Sequence, residues 1–303
     1  ILKERGELKK ADDVICIIID TEREALRKIT EPNLKTICIS SKSTVAQTIS
    51  ELLEEDEDIG LWCPIESYES AFHGSDLDSG ASQMRIKSRL SLAKYLKDDD
   101  NMLKKIISGT QNDVLTDASK GIPRVLIASS IAGGTGSGIF IQIALYVRKL
   151  FEDKGVSVKI DGLFACPDIY LSELSEDEQQ SVKANAYAAV RELNALSLIS
   201  GEGANTNLDI DMEISSKAEG SLFVKDKDGK YSDKPYNMMY FVGKTNLMTK
   251  ELSTLANYYE IMAGMAYTKM YSEASGRLIA CESNIIFHRK RRSESKSRRG
   301  KLF

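Results

Sequence analysis

Residues 124–138 read Arg-Val-Leu-Ile-Ala-Ser-Ser-Ile-Ala-Gly-Gly-Thr-Gly-Ser-Gly, and this stretch decides the fold. Its first half, from Val125 to Ile131, is apolar and rich in β-branched residues, which predicts a buried strand. From residue 139 to residue 151 apolar side chains recur at helical spacing. Between the two lie four closely spaced glycines, at positions 133, 134, 136 and 138. The stretch therefore predicts a strand, a glycine loop (residues 132–138) and a helix in direct succession.

The glycine loop predicts a binding site for a phosphate group. Free backbone N–H groups and the positive end of a helix dipole meet there, and both attract an anion. Glycine allows the backbone to approach a ligand closely, and Thr135 and Ser137 add hydroxyl donors. Two common phosphate loops are excluded, because no lysine follows Gly138 before Lys149 and no three glycines have the dinucleotide spacing. The alternative interpretation is a glycine-rich turn without a ligand.

Strand-like and helix-like segments alternate along most of the chain. Apolar runs of strand length occur at 14–19, 36–39, 156–166 and 236–242, with helical patterns between several of them. Runs that are apolar on both faces are typical of a parallel sheet covered by helices. The predicted fold class is therefore α/β, a Rossmann-like parallel sheet with helices on both faces and a long central helix over residues 247–271.

Taken whole, the glycine loop resembles the signature loop of the tubulin and FtsZ superfamily, in which it holds the phosphates of GTP. Asp20-Thr21 is similar to the end of that family's second strand. Ser79-Gly80-Ala81 resembles the loop that faces the terminal phosphate. The stretch from Arg85 to Arg89 is most similar to a divergent bacterial tubulin-like group, in which basic residues follow this loop. The resemblance covers roughly residues 11–270.

The resemblance implies a nucleotide site for GTP or GDP with Mg²⁺. Ser82 stands where the family has a second glycine, and Pro167-Asp168 falls at the loop that reaches the ribose. Either Glu173 or Glu176 is the acidic residue for the sugar hydroxyls, and the spacing does not choose between them. The implied contact residues are Gly80, Ala81, Ser82, Ala132, Gly133, Gly134, Thr135, Gly136, Ser137, Gly138, Asp168, Glu173, Asn185 and Asn257.

Asn257 is the candidate for recognising the guanine base. It lies where FtsZ carries Ala-Asp and tubulin an Asn, and its amide offers both a donor and an acceptor. The alternative is a solvated helix residue. No residue is assigned as a direct metal ligand, because Mg²⁺ is expected to bridge phosphates with water ligands. Asp20 or Asp168 would assist through water, although both are also typical turn formers at strand ends.

Hydrolysis of GTP is left open by the sequence, and no catalytic residue is assigned. The acidic loop that activates water in a neighbouring tubulin subunit has no counterpart here, since Glu282-Ser283-Asn284 does not match it. The family's first glycine-rich loop is expected before residue 1. Two functions fit: a GTP-binding protein that self-assembles into filaments or nucleotide-dependent oligomers, with hydrolysis at subunit interfaces, and a non-hydrolysing scaffold subunit of a hetero-complex.

The composition favours a cytoplasmic protein. A net charge of −4 gives no general attraction to nucleic acid or membranes. Five scattered cysteines without a CxxC pair are typical of reduced thiols, and with His73 and His288 as the only histidines a histidine-based triad or zinc site is not expected. No apolar run approaches the ~18 residues that cross a membrane.

The predicted domains are a tubulin-like nucleotide-binding domain over residues 1–246, the central helix over 247–271, and the start of a second domain or a basic tail over 272–303. Residues 200–235 form a polar loop or hairpin insertion that offers a surface to a protein partner. Residues 289–301 carry eight Lys or Arg, which favours nucleic acid, an acidic partner or anionic lipid. A disordered, solubilising tail is the alternative.

Overall fold

The computed structural model describes residues 14–32, 34–54, 63, 75–78, 80–116, 122–199, 234–245, 251–252, 254–272, 274–278 and 281. The chain divides into two compact units, Cys16–Leu255 and Ile1–Ile15 with Ala256–Phe303. The named elements are, in chain order, β1 (Cys16–Asp20), α1 (Arg23–Arg27), β2 (Leu34–Cys38), β3 (Ser41–Thr44), α2 (Val45–Leu53), β4 (Asp76–Leu77), α3 (Arg85–Leu96), α4 (Met102–Thr116), β5 (Arg124–Ser130), α5 (Gly134–Glu152), β6 (Lys159–Ala165), α6 (Glu176–Ile199), β7 (Met238–Val242) and α7 (Leu255–Met270).

The sheet built by β5, β6 and β7 is parallel, as the sequence predicts. The strands are hydrogen-bonded in that order, and the register aligns Ser130 with Ala165 and Ala165 with Val242. A second parallel pair, β1 with β2, aligns Asp20 with Cys38. Helices surround the sheet, which confirms the α/β class and the Rossmann-type arrangement. The antiparallel pair of β3 and β4 was not predicted, because the polar β3 shows no apolar alternation.

The main hydrophobic core forms around α5, which is buried along most of its length. Phe140 of α5 meets Phe164 of β6 edge-on, with ring centroids 5.2 Å apart, and Phe164 meets Tyr236 in the same way at 5.2 Å. From α6, Ala189 and Leu193 pack into the same cluster. Because so many apolar contacts hold α5, the position of its first turn is fixed by the core.

The start of α6 follows the predicted capping pair. The Ser175 N–H and hydroxyl both donate to Oε2 of Glu178, at 2.9 Å and 2.6 Å. These hydrogen bonds lower the pKa of Glu178. The carboxylate therefore supports the first turn as one half of a capping box would.

The second unit is described mainly by α7, where the ring of Tyr267 stacks on that of Tyr271, the residue after the helix, with centroids 6.1 Å apart. This helix begins at Leu255 and not at residue 247. Before it, Glu251 pairs with Thr245 in an isolated antiparallel bridge, so the backbone there is extended. The hairpin predicted within residues 200–235 and the basic stretch 289–301 lie outside the described residues.

Candidate functional site

Three loops meet at the N-terminal end of α5. At the end of β1, Oδ1 of Asp20 accepts a hydrogen bond of 3.0 Å from the Thr135 hydroxyl of the glycine loop. The Thr21 and Thr135 hydroxyl oxygens lie 2.8 Å apart. The 80–84 loop joins them through the Ala81 N–H, which donates to the Thr21 hydroxyl at 3.0 Å. Segments that are far apart in the sequence are thus connected by hydrogen bonds at one point.

The first turn of α5 presents backbone donors there. Gly133 is the N-cap residue, in an extended conformation with φ −78° and ψ 176°, and it makes no side-chain capping hydrogen bond. The two preceding N–H groups are used within the protein: Ile131 donates to the carbonyl of Ala165 at 3.2 Å, and Ala132 donates to the hydroxyl of Ser130 at 3.1 Å. The N–H groups of the first turn have no partner inside the helix, and together with the helix dipole they favour an anion.

Close packing explains two of the loop's glycines. A Cβ atom on Gly138 would lie 2.0 Å from the Ser88 hydroxyl and 2.6 Å from the Arg85 carbonyl oxygen. A Cβ atom on Gly136 would lie 2.3 Å from the Ser129 hydroxyl and 2.7 Å from the Ser130 carbonyl oxygen. Real Cβ atoms do not approach so closely, so the protein itself requires glycine at both positions. The sequence pattern did not predict this reason.

The other two glycines differ from each other. A Cβ atom on Gly134 would lie 2.9 Å from the backbone N and Cα of Gln83, so this glycine allows the 80–84 loop to touch the start of α5. A Cβ atom on Gly133 would meet no atom of the described residues within 4 Å. Among the four, Gly133 is therefore the position at which the backbone faces open space, and a ligand can approach it.

The two predicted hydroxyl donors have different surroundings. Ser137 is completely buried, and its hydroxyl donates to the carbonyl oxygen of Gly133. Thr135 is half-buried, and its hydroxyl contacts Asp20 and Thr21. Thr135 is consequently the hydroxyl that borders the open side of the loop, while its role as a phosphate donor stays a prediction.

The 80–84 loop contains an unusual run of backbone conformations. Gly80 has a φ of +80°. Two of the residues that follow it, Ser82 and Gln83, have φ angles of +45° and +61°. Left-handed conformations are unfavourable for residues with a Cβ atom. A turn hydrogen bond of 2.7 Å from the Met84 N–H to the Ala81 carbonyl closes the loop. The predicted site residue Ser82 therefore occupies a glycine-like conformation on an exposed loop.

Helix α6 contacts both loops through Asn185. Its side-chain Nδ2 donates to the Gln83 carbonyl at 2.8 Å and to the Ala132 carbonyl at 3.1 Å. The sequence predicted Asn185 as a nucleotide contact, and the structure places its amide between the 80–84 loop and the glycine loop.

A charged cluster lies beside this contact. Glu192 of α6 forms ion pairs with Arg85, at 2.6 Å, and with Arg89 of α3. Arg85 also donates to the Ser137 carbonyl at 2.9 Å and 3.1 Å, and Arg89 to the Gly138 carbonyl at 3.2 Å. Burial raises the pKa of Glu192, but the charges and hydrogen bonds of the two arginines outweigh burial and hold this pKa below its ordinary value. The cluster joins α3 and α6 to the first turns of α5.

The remaining predicted contacts are Asp168, Glu173 or Glu176, and Asn257. Asp168 follows β6, and its Oδ2 accepts a hydrogen bond from the Lys244 N–H, while its buried Oδ1 has no hydrogen-bond partner among the residues that the structure describes. Glu173 and Glu176 are both exposed, so the structure does not choose between them. Asn257 belongs to the second unit. Contacts of these residues with a nucleotide stay predictions.

Two contributors to this arrangement were missed by the sequence analysis. Thr21 was recognised only as part of a strand end, and Glu192 was not singled out. The sequence did indicate that an acidic residue would lie beside α3. Arg85 and Arg89 are four residues apart on a predicted helix, so they share one face, and two neighbouring positive charges favour an acidic partner. Which of the chain's many acidic residues meets them is decided by tertiary packing alone.

The family model described as "Tubulin like" matches residues 1–301. The chain therefore belongs to the tubulin-like family, which confirms the resemblance of the glycine loop. No curated protein and no solved structure is significantly similar to the chain. The placement in a divergent bacterial group stays a prediction.

None of the described helices is long and apolar enough to span a bilayer. Within the residues that the structure describes, no group of three or more His, Cys, Asp or Glu side chains is arranged to hold a metal ion.

Proposed function

We propose that the chain binds a guanine nucleotide, GTP or GDP, with its phosphates at the N-terminal end of α5. The observation that carries the proposal is the open space in front of Gly133, at the start of a 19-residue helix whose first turn has no side-chain cap. The neighbouring 80–84 loop and the end of β1 border the same place. Membership of the tubulin-like family supports the choice of nucleotide.

Mg²⁺ fits this site as a partner of the nucleotide. The Asp20 carboxylate lies 3.0 Å from the Thr135 hydroxyl, and Oε2 of Glu22 lies close to Gly80, so negative charge borders the place proposed for the phosphates. A divalent cation would offset the repulsion between these carboxylates and the phosphate oxygens. Asp20, through water, is the residue proposed to assist the ion.

The proposed role of nucleotide binding is self-assembly, into a filament or a nucleotide-dependent oligomer. Tubulin-like proteins generally self-associate, and this supports the proposal. Hydrolysis at subunit interfaces is a separate part of it, since phosphoryl transfer needs a positioned water and charge stabilisation beyond binding. The competing function is a scaffold subunit that binds the nucleotide and does not hydrolyse it.

The first experiment denatures the purified protein and identifies the released nucleotide by chromatography, followed by calorimetric titration of nucleotide-free protein with Mg-GTP, Mg-GDP and Mg-ATP. We expect GTP or GDP near one per chain, or tight binding of the guanine nucleotides. No released nucleotide and no binding in any titration would contradict the proposal.

Light scattering after the addition of Mg-GTP then separates the two functions. A signal that rises and decays as GTP is consumed supports a hydrolysing, assembling protein. A signal that rises and persists, without phosphate release, supports the scaffold. No rise at any protein concentration contradicts self-assembly.

A further inference from the structure

We propose that Asn185 is a positioning residue of the nucleotide site, whose side-chain amide fixes the 80–84 loop against the glycine loop. This inference rests on the proposed function and adds to it a residue that acts through the two loops and not on the nucleotide. The starting observation is that one NH₂ group bonds two carbonyls from separate loops, Gln83 at 2.8 Å and Ala132 at 3.1 Å.

The geometry uses both hydrogens of the amide. A side-chain NH₂ group has two donors, so each carbonyl receives one of them. The two acceptors are far apart in the sequence: Gln83 belongs to the 80–84 loop, and Ala132 to the segment that leads into α5. A shorter or purely accepting side chain at position 185 loses both connections at once.

The 80–84 loop needs such support because its conformation is strained. Ser82 and Gln83 are consecutive residues with positive φ, and each costs roughly 1 kcal/mol or more relative to an ordinary conformation. Ser82 is exposed and Met84 has 40% of its surface exposed, so burial of their side chains contributes little. Hydrogen bonds to Thr21 and Asn185 are therefore important in holding the loop.

The position of this loop controls the space in front of α5. The Gln83 backbone packs directly on Gly134, the first residue of the helix, with no room for a side chain between them. The same Asn185 amide also holds Ala132, which immediately precedes the open Gly133. If the amide is lost, the loop can leave its strained conformation, and the binding-competent fraction of the protein decreases.

The test compares Asn185→Asp with Asn194→Asp in the full chain. Both variants introduce the same charge on α6, but Asn194 is exposed and lies two turns further along the helix. Aspartate matches asparagine in shape, cannot donate when ionised, and repels the two carbonyl oxygens. Amide hydrogen exchange is measured in the nucleotide-free protein, and affinities for Mg-GTP and Mg-GDP are measured by calorimetry.

For Asn185→Asp we expect exchange to accelerate about tenfold at residues 81–84 and 132–134, with the core strand β6 unchanged. Nucleotide affinity should fall by about the same factor, because apparent affinity scales with the binding-competent fraction. Asn194→Asp should change neither quantity. Unchanged exchange in Asn185→Asp overturns the proposal. Acceleration that extends through β6 also overturns it, because it indicates a general structural role for Asn185.

The two arms also separate this inference from the proposed function. If the wild-type protein binds no nucleotide, the proposed function fails. The exchange experiment still decides whether Asn185 holds the loops, because it needs no ligand. If the wild type binds nucleotide and both variants bind equally well, the proposed function stands and the positioning role is overturned.

Discussion

The glycine loop and the 80–84 loop face each other at the start of α5, and they use glycine for opposite reasons. None of the four glycines in the glycine loop has a positive φ, whereas the 80–84 loop has three positive φ angles and a single glycine. In the glycine loop the missing side chain allows close packing, which is required at Gly134, Gly136 and Gly138. In the 80–84 loop, Ser82 and Gln83 adopt glycine-like angles without being glycine.

The comparison shows that a glycine-rich sequence does not by itself reveal why the glycines are needed. A substitution in the glycine loop tests ligand binding only at Gly133, because at the other three positions the new side chain meets the protein first. Gly136→Val, which looks like a direct test of phosphate binding, would therefore report on folding. The following predictions are ordered from the largest expected effect to the smallest.

Gly138→Ala should lower the free energy of unfolding by about 3 kcal/mol, since overpacking a tight contact forces the backbone to move. The new Cβ would lie 2.6 Å from the Arg85 carbonyl oxygen, which cannot rotate away. Urea denaturation measures the change. Gly109→Ala is the control, because this exposed helical glycine has no atom within 4 Å of its Cβ position. Equal stability of the two variants would contradict the packing argument.

Glu192→Gln should lower the free energy of unfolding by about 2–3 kcal/mol, because it removes the carboxylate that neutralises two largely buried arginines. The pKa of Glu192 is below its ordinary value of 4.5, so its stabilising contribution is present above that pH and is lost as the pH falls through the lowered pKa. Thermal unfolding measured between pH 3 and pH 7 should therefore show that the variant loses less stability than the wild type as the pH falls. If the variant loses stability as steeply as the wild type, groups other than Glu192 cause the loss of stability in acid.

Gly133→Ala should reduce the affinity for Mg-GTP by about tenfold, since a methyl group would occupy the space proposed for the phosphates. The extended conformation of Gly133, with φ −78°, suits alanine, and no protein atom opposes the new Cβ. Because alanine is a poorer N-cap residue than glycine, the free energy of unfolding should fall by about 1 kcal/mol, which leaves the protein folded in the titration. Calorimetric titration of this variant beside Gly109→Ala gives the measurement, and undiminished affinity would move the phosphates away from this loop.

Ser82→Gly should raise the free energy of unfolding by about 0.5–1 kcal/mol, because glycine adopts the positive φ of 45° without steric cost. Ser82→Ala is the matched control: it removes the same hydroxyl but keeps the Cβ atom, and it should not stabilise the protein. Chemical denaturation of the two variants in parallel measures the difference. A stabilising alanine would show that the hydroxyl, and not the backbone, causes the effect.

Much of the fold could be predicted from the sequence because its signals are local. The apolar run before the glycine loop predicted β5, and the helical spacing after it predicted α5, which the structure extends to Gly134–Glu152. Ser175 and Glu178 predicted the start of α6. The pair of β3 with β4 was missed, and α7 begins later than expected, because a short polar strand and a single bridge at Thr245 leave no periodic pattern.

The site was predicted in part. The glycine loop, the 80–84 loop and the end of β1 were recognised as elements of one site, and the structure brings them together through Thr21 and Thr135. The link from Asn185 to both loops and the cluster around Glu192 could not be predicted. These contacts join residues about 50 to 110 positions apart, and no local pattern encodes which partner each side chain will meet.

The sequence by itself determined the α/β class, the tubulin-like family and the position of the glycine loop, because hydrophobic periodicity and a contiguous motif are local properties of the chain. Only the tertiary structure decided what each glycine is for and which residues hold the loops. Whether Gly133 faces space and Gly138 faces Ser88 depends on how α3 packs against α5. The strain at Ser82 and Gln83 likewise exists only because distant hydrogen bonds, from α6 and from the end of β1, stabilise that conformation.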